Sequence, residues 1–329
     1  MAMPAASLRG FTFREADDND FPQIERLYAS RGIRMGWSGW KYRGSPDGNA
    51  RVMVAVDACN AIVGTMAYLP RRFSVPGGQL LTVWQVVDIF SSPKLREQRV
   101  FLGLLKYASE LVVGPQFGLP NRNSRIYSRS PGWRVIGRYD VWLFPVKIGL
   151  LLANKPLAFF SPLFNAVSRI YAAGWLPGKA RNIEMQTVEK FSRDYDLGPK
   201  HVYGVRSAAY LNWRYLDNPV SDYLAFEFFD GAEALGYCVF TKVGARGIIS
   251  DFFATCSRRV CMRLFVAHCR RQGIAYISYS LTGPHLFSLG FVRAGRGGDC
   301  VGHSVPDGQW FIDACDTDTE PSGMDSKPC

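Results

Sequence analysis

Two hydrophobic periods alternate along the chain. Residues 11–17 (FTFREAD) set apolar side chains at every second position, the pattern of a short half-buried strand. Asp18 and Asp20 then offer helix-capping carboxylates, and Phe21, Ile24 and Leu27 recur at helical spacing. Residues 51–57 and 61–69 are apolar runs on either side of Ala58-Cys59-Asn60, which predicts a hairpin; after the Pro76-Gly77-Gly78 turn, residues 80–90 predict a third strand. Over 96–113 the period becomes 3.6, with Val100, Phe101, Leu104, Leu105, Ala108, Leu111 and Val112 on one helix face. A short strand at 116–119, a short helix at 121–130 stopped by Pro131-Gly132, and a closing strand pair over 133–146 complete this half. An antiparallel meander feeding a strand–helix–strand unit predicts a mixed sheet of the α+β or α/β kind.

The second half repeats the order. Strands are predicted over 223–229, 235–243 and 247–254, a helix over 256–273, a strand over 274–281 and a short helix over 284–289. The helix sets Val260, Leu264, Phe265 and His268 on its apolar face and Arg258, Arg259, Arg263, Arg270 and Arg271 on its polar face. VVDIFSSP at 86–93 matches ISDFFATC at 249–256, so Asp88 and Asp251 hold the same place before a long helix. Gly132-Trp133 and Gly290-Phe291 follow at similar distances. This is an internal repeat of about one domain length. Residues 147–200 read as a helical linker and 316–329 as a polar, disordered tail.

Composition narrows the function classes. A chain of 329 residues with 47% hydrophobic residues has room for two domains. The net charge of +11 favours an anionic partner, whether phosphate-rich cofactor, nucleic acid or acidic membrane surface. The basic residues are scattered, so no specific nucleic-acid arm is expected. The eight cysteines include no C-x-x-C pair and the four histidines are dispersed, which predicts no zinc site and a reduced, cytoplasmic protein. Cys256 and Cys261, at the start of the second long helix, read as buried small hydrophobes. The N-terminal residues lack the apolar core of a signal peptide. The apolar stretch 141–176 is interrupted by Asn154, Lys155, Pro156, Pro162, Asn165 and Arg169; it is too broken to span a bilayer yet suited to lie weakly on one, peripheral to the inner membrane.

The stretch VVDIFSSPKLREQRVFLGLL (86–105) resembles the acyl-CoA motif of the GNAT superfamily, in which a strand runs into a glycine-containing helix N-terminus. Helix-terminal N–H groups are unsatisfied and positively polarised, so they receive the pyrophosphate. The resemblance implies contacts to acetyl-CoA or another acyl-CoA from Ile89, Phe90, Lys94, Arg96, Glu97, Gln98, Arg99, Val100 and Phe101. Arg96 fills the motif's Arg/Gln position, whereas Arg99 replaces its first glycine and Phe101 its last small residue. GLPNRNS (118–124), Tyr127 and Gly132-Trp133 match the superfamily's later strand and short helix. They imply Asn121 or Asn123, and Tyr127, as catalytic assistants; Tyr127 lies about one residue out of register. Asp88 is the candidate general base.

VRSAAYLNWRYLDNPVSDY (205–223) and GQWFIDACDTDTE (308–320) resemble segments of tandem-GNAT proteins of bacterial polysaccharide and envelope gene sets. The resemblance implies two tandem GNAT-like domains. Residues 1–146 would carry the acyl-CoA site, and residues 201–315 would form a degenerate second domain that shapes the acceptor site. The expected function is N-acylation, with acetylation first, of a small-molecule or glycan-precursor amine such as an amino sugar. Two rivals are a Fem-type aminoacyl-tRNA-dependent transferase, which usually carries a coiled-coil insertion not visible here, and a decayed acyltransferase pair acting as a scaffold. Trp213, Arg214 and Tyr215 either wall the acceptor cleft or fasten the opening helix of the second domain.

Overall fold

The computed structural model describes residues 6–8, 10–30, 32, 38–91, 100–120, 131–152, 155–176, 182–196, 198, 201–255, 257–282 and 286–317. They divide into two units: unit 1 draws on 1–75, 79–136 and 300–308, and unit 2 on 76–78, 137–299 and 309–329.

Unit 1 begins with β1 (Ala6–Leu8), β2 (Phe11–Glu15), α1 (Phe21–Ala29) and α2 (Ser38–Arg43). It continues through β3 (Arg51–Val56), β4 (Ile62–Ser74), β5 (Leu80–Ser91), α3 (Val100–Leu111) and β6 (Gln116–Gly118). The sheet order is β1-β2-β3-β4-β5-β6, antiparallel until the parallel β5/β6 pair. Val52 and Val54 of β3 pack with Ile24 and Tyr28 of α1 on one face; Met53 and Ala55 pack with Leu104 and Ala108 of α3 on the other. Helices on both faces explain why β3 is a continuous apolar run and not an alternating one. The predicted helix and hairpin of this half are therefore present.

Along the chain β6 is followed by β7 (Trp133–Pro145), α4 (Ser161–Trp175), β8 (Ile183–Val188), β9 (Val202–Gly204), α5 (Ala208–Leu211) and β10 (Leu224–Asp230). Next are β11 (Glu233–Val243), β12 (Arg246–Ala254), α6 (Arg258–Arg271), β13 (Tyr276–Thr282), β14 (Val292–His303) and β15 (Trp310–Phe311). In unit 2 the order is β7-β13-β12-β11-β10-β8, with β12 and β13 parallel and β15 paired to β9. Phe240, Cys261, Met262, Phe265, Val266 and Cys269 lie in its main core, so Cys261 is the buried small hydrophobe expected. The buried face of α6 centres on Cys261, Phe265 and Cys269; Val260, Leu264 and His268 lie only part-buried beside it.

Several expectations are corrected. The closing strand pair of the first half is one strand, β7, whose residues from 137 onward belong to unit 2 and, over Tyr139–Pro145, pair with β13. Unit 1 instead receives residues 300–308, of which Val301–His303 pair with β6. The boundary at 146 thus gives way to a division near 136, because strand pairing, not chain continuity, assigns each segment. The span 147–200 is not wholly helical linker: β8 within it pairs with β10 over six residues. The tail prediction fails at its start, where Asp316 and Thr317 are buried.

Candidate functional site

In unit 1 the parallel ladder between β5 and β6 comprises Trp84↔Gln116 and Gln85↔Phe117, while β5 runs on to Ser91. The two strands therefore form a fork whose longer arm leads toward α3. On that arm the register with β4 steps from Ala67↔Val87 to Thr65↔Phe90, which places a bulge at Asp88-Ile89. Asp88 has φ 50°, the left-handed region that costs a residue with a Cβ and persists only where neighbours hold it. Four side chains hold it. Tyr28 Oη and Thr65 Oγ1 donate to the Asp88 carbonyl at 2.8 and 3.1 Å. Lys41 Nζ lies 2.7 Å from the carboxylate, and Tyr42 Oη donates to it at 2.8 Å. Lys41 and Tyr42, both on α2, are buried, so the carboxylate has a fixed cation and a fixed hydroxyl.

Of the expected site residues, the structure brings Asp88, Ile89 and Phe90 to this bulge, each half-buried, and places Val100 buried and Phe101 half-buried in the first turn of α3. Lys94, Arg96, Glu97, Gln98 and Arg99, together with Asn121, Asn123 and Tyr127, lie outside the described residues. Lys41, Tyr42, Tyr28 and Thr65 carry no motif and were not anticipated. Their only local signal is that Lys41 and Tyr42 precede an apolar strand in a segment otherwise rich in glycine and charge.

The matching place in unit 2 is built differently. β12 and β13 pair from Arg246↔Tyr276 to Ile249↔Tyr279 and then separate into a second fork. A bulge at Ser250 again adjoins the aspartate, Asp251. Here, however, Arg206 fills the deep end: its Nη2 contacts Asp313 and Asp316 at 3.0 and 2.8 Å, and its Nε lies 3.6 Å from Asp251. Tyr237 Oη donates to Asp251 at 2.5 Å and Tyr279 Oη to Asp313 at 2.8 Å. The backbone amide of Phe252, the counterpart of Ile89, donates to Tyr279 Oη at 3.2 Å. The chain's last described segment also lies along β13: Thr282 N donates to Ile312 O at 2.8 Å, and Leu281 bridges to Asp313. A cavity of ≈ 500 Å³ lies at the mouth, lined by Phe252, Arg258, Thr282 and Trp310.

Electrostatics agree with a closed deep end. Burial opposes the charge of Arg206, but Asp316, Cys315, Asp251 and Asp313 together hold its pKa well above the ordinary value. Burial pushes the Asp313 carboxyl well above the carboxylate range, Asp251 adds to this, and Arg206 opposes it. Asp251, Asp313 and Cys315 are close enough to ligate a metal, although no sequence spacing announces them. The guanidinium of Arg206 already supplies their positive charge. Arg214 and Tyr215 are buried beside the cluster, and Arg214 Nη2 donates to Ala314 O and Thr317 O at 3.2 and 3.1 Å. These two bonds tie the 314–317 segment to Arg214 within unit 2.

Gly132 and Gly290, the paired glycines of the repeat, have φ 85° and 80°. Each turns the chain into the following strand in a conformation that L side chains rarely adopt. The repeat read from sequence is therefore a repeat of strand, bulge, helix and left-handed glycine turn.

No protein-family model and no curated protein sequence matches the chain. Solved structures do. A GCN5-related N-acetyltransferase from Anabaena variabilis superposes with TM-score 0.62 at 14% identity, over 89% of this chain and 72% of that one. A probable N-acyltransferase from Enterococcus faecalis gives 0.62 at 9% identity over the same shares. N-myristoyltransferase from Saccharomyces cerevisiae, with bound myristoyl-CoA, gives 0.56 at 9% identity, over 94% of this chain and 86% of that one. With the forked mixed sheet, these likenesses show that the chain has the fold of the GNAT N-acyltransferases.

Proposed function

We propose that the chain transfers an acyl group from acyl-CoA, with acetyl-CoA the first donor to test, to an amine at the β5/β6 fork of unit 1. The observation that carries this reading is the left-handed bulge at Asp88 on the strand leading from the fork toward α3. A bulge turns backbone N–H groups out of the ladder, where they can polarise a thioester carbonyl and stabilise its oxyanion. The helix start that follows suits a pyrophosphate, with Arg96 adding a charge-assisted contact.

In this reading the neutral amine attacks the thioester carbonyl directly and no covalent enzyme intermediate forms. The tetrahedral adduct carries an N–H⁺ far more acidic than a free ammonium. Asp88, held in place by Lys41 and Tyr42, is the proposed acceptor of that proton, through a water molecule. Collapse of the adduct expels the CoA thiolate. Asn121 and Tyr127 are the proposed assistants at the sulfur. An amino sugar heads the acceptors to test, on the strength of the sequence resemblance. Incubation with acetyl-CoA and amino-sugar acceptors, followed by mass spectrometry, should show an amide product and free CoA in equal amounts. CoA release without acylated amine would refute amine transfer.

A further inference from the structure

α4 is docked with its large apolar side chains outward. Toward the protein it turns Ser168 and Ala172, both buried. Beside the packing of Ala172 and the Tyr171 ring on the core, hydrogen bonds attach it: Gly149 N donates to Asn165 Oδ1 at 2.9 Å, Ser161 Oγ donates to Gly149 O at 2.9 Å, and Tyr171 Oη donates to Gly290 O at 2.8 Å. Outward point Leu163 at 59% exposure, Val167 at 54% and Ile170 at 73%, and the preceding turn adds Leu157 at 53% and Phe159 at 75%. An ordinary surface helix buries such residues and exposes its serines and asparagines. Of the sixteen large hydrophobics exposed among the described residues, nine fall between Leu151 and Trp175. Exposed apolar area so concentrated marks an interaction surface.

The charge around this face identifies the partner. Residues 147–176 contain three basic side chains, Lys147, Lys155 and Arg169, and no Asp or Glu. Beside α4 runs a groove of ≈ 820 Å³ lined by Arg169, Arg263 and Arg270 together with Ile170, Ala173 and Val266. Arg270 Nε is buried without a hydrogen-bond partner among the described residues. Burial, and then the charge of Arg169, depress the Arg270 pKa, as expected where cations gather without an anion. An apolar protein partner would not call for this cationic rim.

We infer that the outward face of α4 and the preceding turn, rimmed by Arg169, Arg263 and Lys155, docks on the surface of an anionic lipid bilayer. Phe159, Leu163 and Ile170 enter the boundary between headgroups and acyl chains, and the arginines pair with lipid phosphates. The helix lies in the plane of the interface; no helix among the described residues is long and apolar enough to cross. An acyltransferase seated this way would meet acceptors carried on lipid, but the docking itself does not depend on that activity.

The test is flotation of the full chain with vesicles of phosphatidylcholine alone or of equimolar phosphatidylcholine and phosphatidylglycerol, at low and high salt. Binding is expected on the anionic vesicles at low salt, with release at high salt. Phe159→Ser with Ile170→Ser should lower the bound fraction roughly tenfold while leaving net charge and the thermal midpoint unchanged. Arg169→Glu, exposed and remote from the core, should weaken binding independently. Three results would overturn the inference: no flotation with anionic vesicles at low salt, equal binding to both vesicle types, or undiminished binding by the serine double variant. A fourth is a self-associated species that the serine variant dissociates and that does not float, since a second copy would then cover the face.

Discussion

Asp88 and Asp251 occupy the same place in the two repeats, each at a bulge on the strand before a long helix, yet their surroundings differ. Asp88 is half-buried and held by Lys41 and Tyr42 from α2, beside a fork whose β5 arm extends past its β6 partner. Asp251 is fully buried, hydrogen-bonded to Tyr237, and shares Arg206 with Asp313 and Asp316. In unit 2 the backbone amide that would face a thioester is already bonded to Tyr279. Conservation of a strand–bulge–helix unit therefore does not conserve a site. Among the described residues, what marks unit 2 is that Arg206 and the 310–316 segment occupy its fork.

Four tests break or sharpen this contrast. The largest effect is expected from Arg206→Met, which leaves Asp251, Asp313 and Asp316 without their cation; removing one partner of a buried charge cluster costs about 3–5 kcal/mol. Chemical denaturation should show that loss, and a change below about 1 kcal/mol would mean the cluster is not structural. Next, Asp88→Asn should lower kcat about a hundredfold while the Kd for acetyl-CoA stays within error. Asp251→Asn should instead lower stability with no fall in kcat for the folded fraction. Equal catalytic losses from both would contradict the division of roles.

Third, Arg96→Ala should weaken acetyl-CoA binding about tenfold, and Arg258→Ala, at the head of α6, should not change it. Titration calorimetry reads both. The smallest effect concerns pH. Burial and then Arg271 depress the His268 pKa below the ordinary 6.5. The unfolded chain therefore takes up this proton at higher pH than the folded chain. The stability His268 contributes is present above about 6.5 and falls away as pH drops through its lower folded value. Substituting His268→Gln should flatten that slope; a steeper slope would contradict the assignment.

Much of the fold was legible because it is local. α3 and α6 follow the 3.6 period, the β3/β4 hairpin follows apolar runs around a polar turn, and Gly132 and Gly290 mark left-handed turns. β8 falls in a span whose sequence reads as linker although Ile183 and Met185 alternate with Glu184 and Gln186. An edge strand that is mostly exposed carries too few apolar residues to stand out. The exchange of residues 300–308 into unit 1 has no local signal, since it depends on pairing between β6 and a strand far along the chain. The same holds for the site. Asp88 was found through its repeat, but Lys41 reaches it only in three dimensions, and Arg206 meets Asp316 across a separation of 110 residues. Burying an arginine with three aspartates also defies composition-based expectation, which places such residues at the surface.

The central claim is that one fork accepts acyl-CoA and the other is closed by Arg206 and the 310–316 segment. Titration of the full chain with acetyl-CoA measures this directly. The account predicts one equivalent bound per chain, with the Arg96→Ala variant weakened at that single site. Two equivalents per chain, or one equivalent untouched by Arg96→Ala and lost on Arg258→Ala, would contradict it.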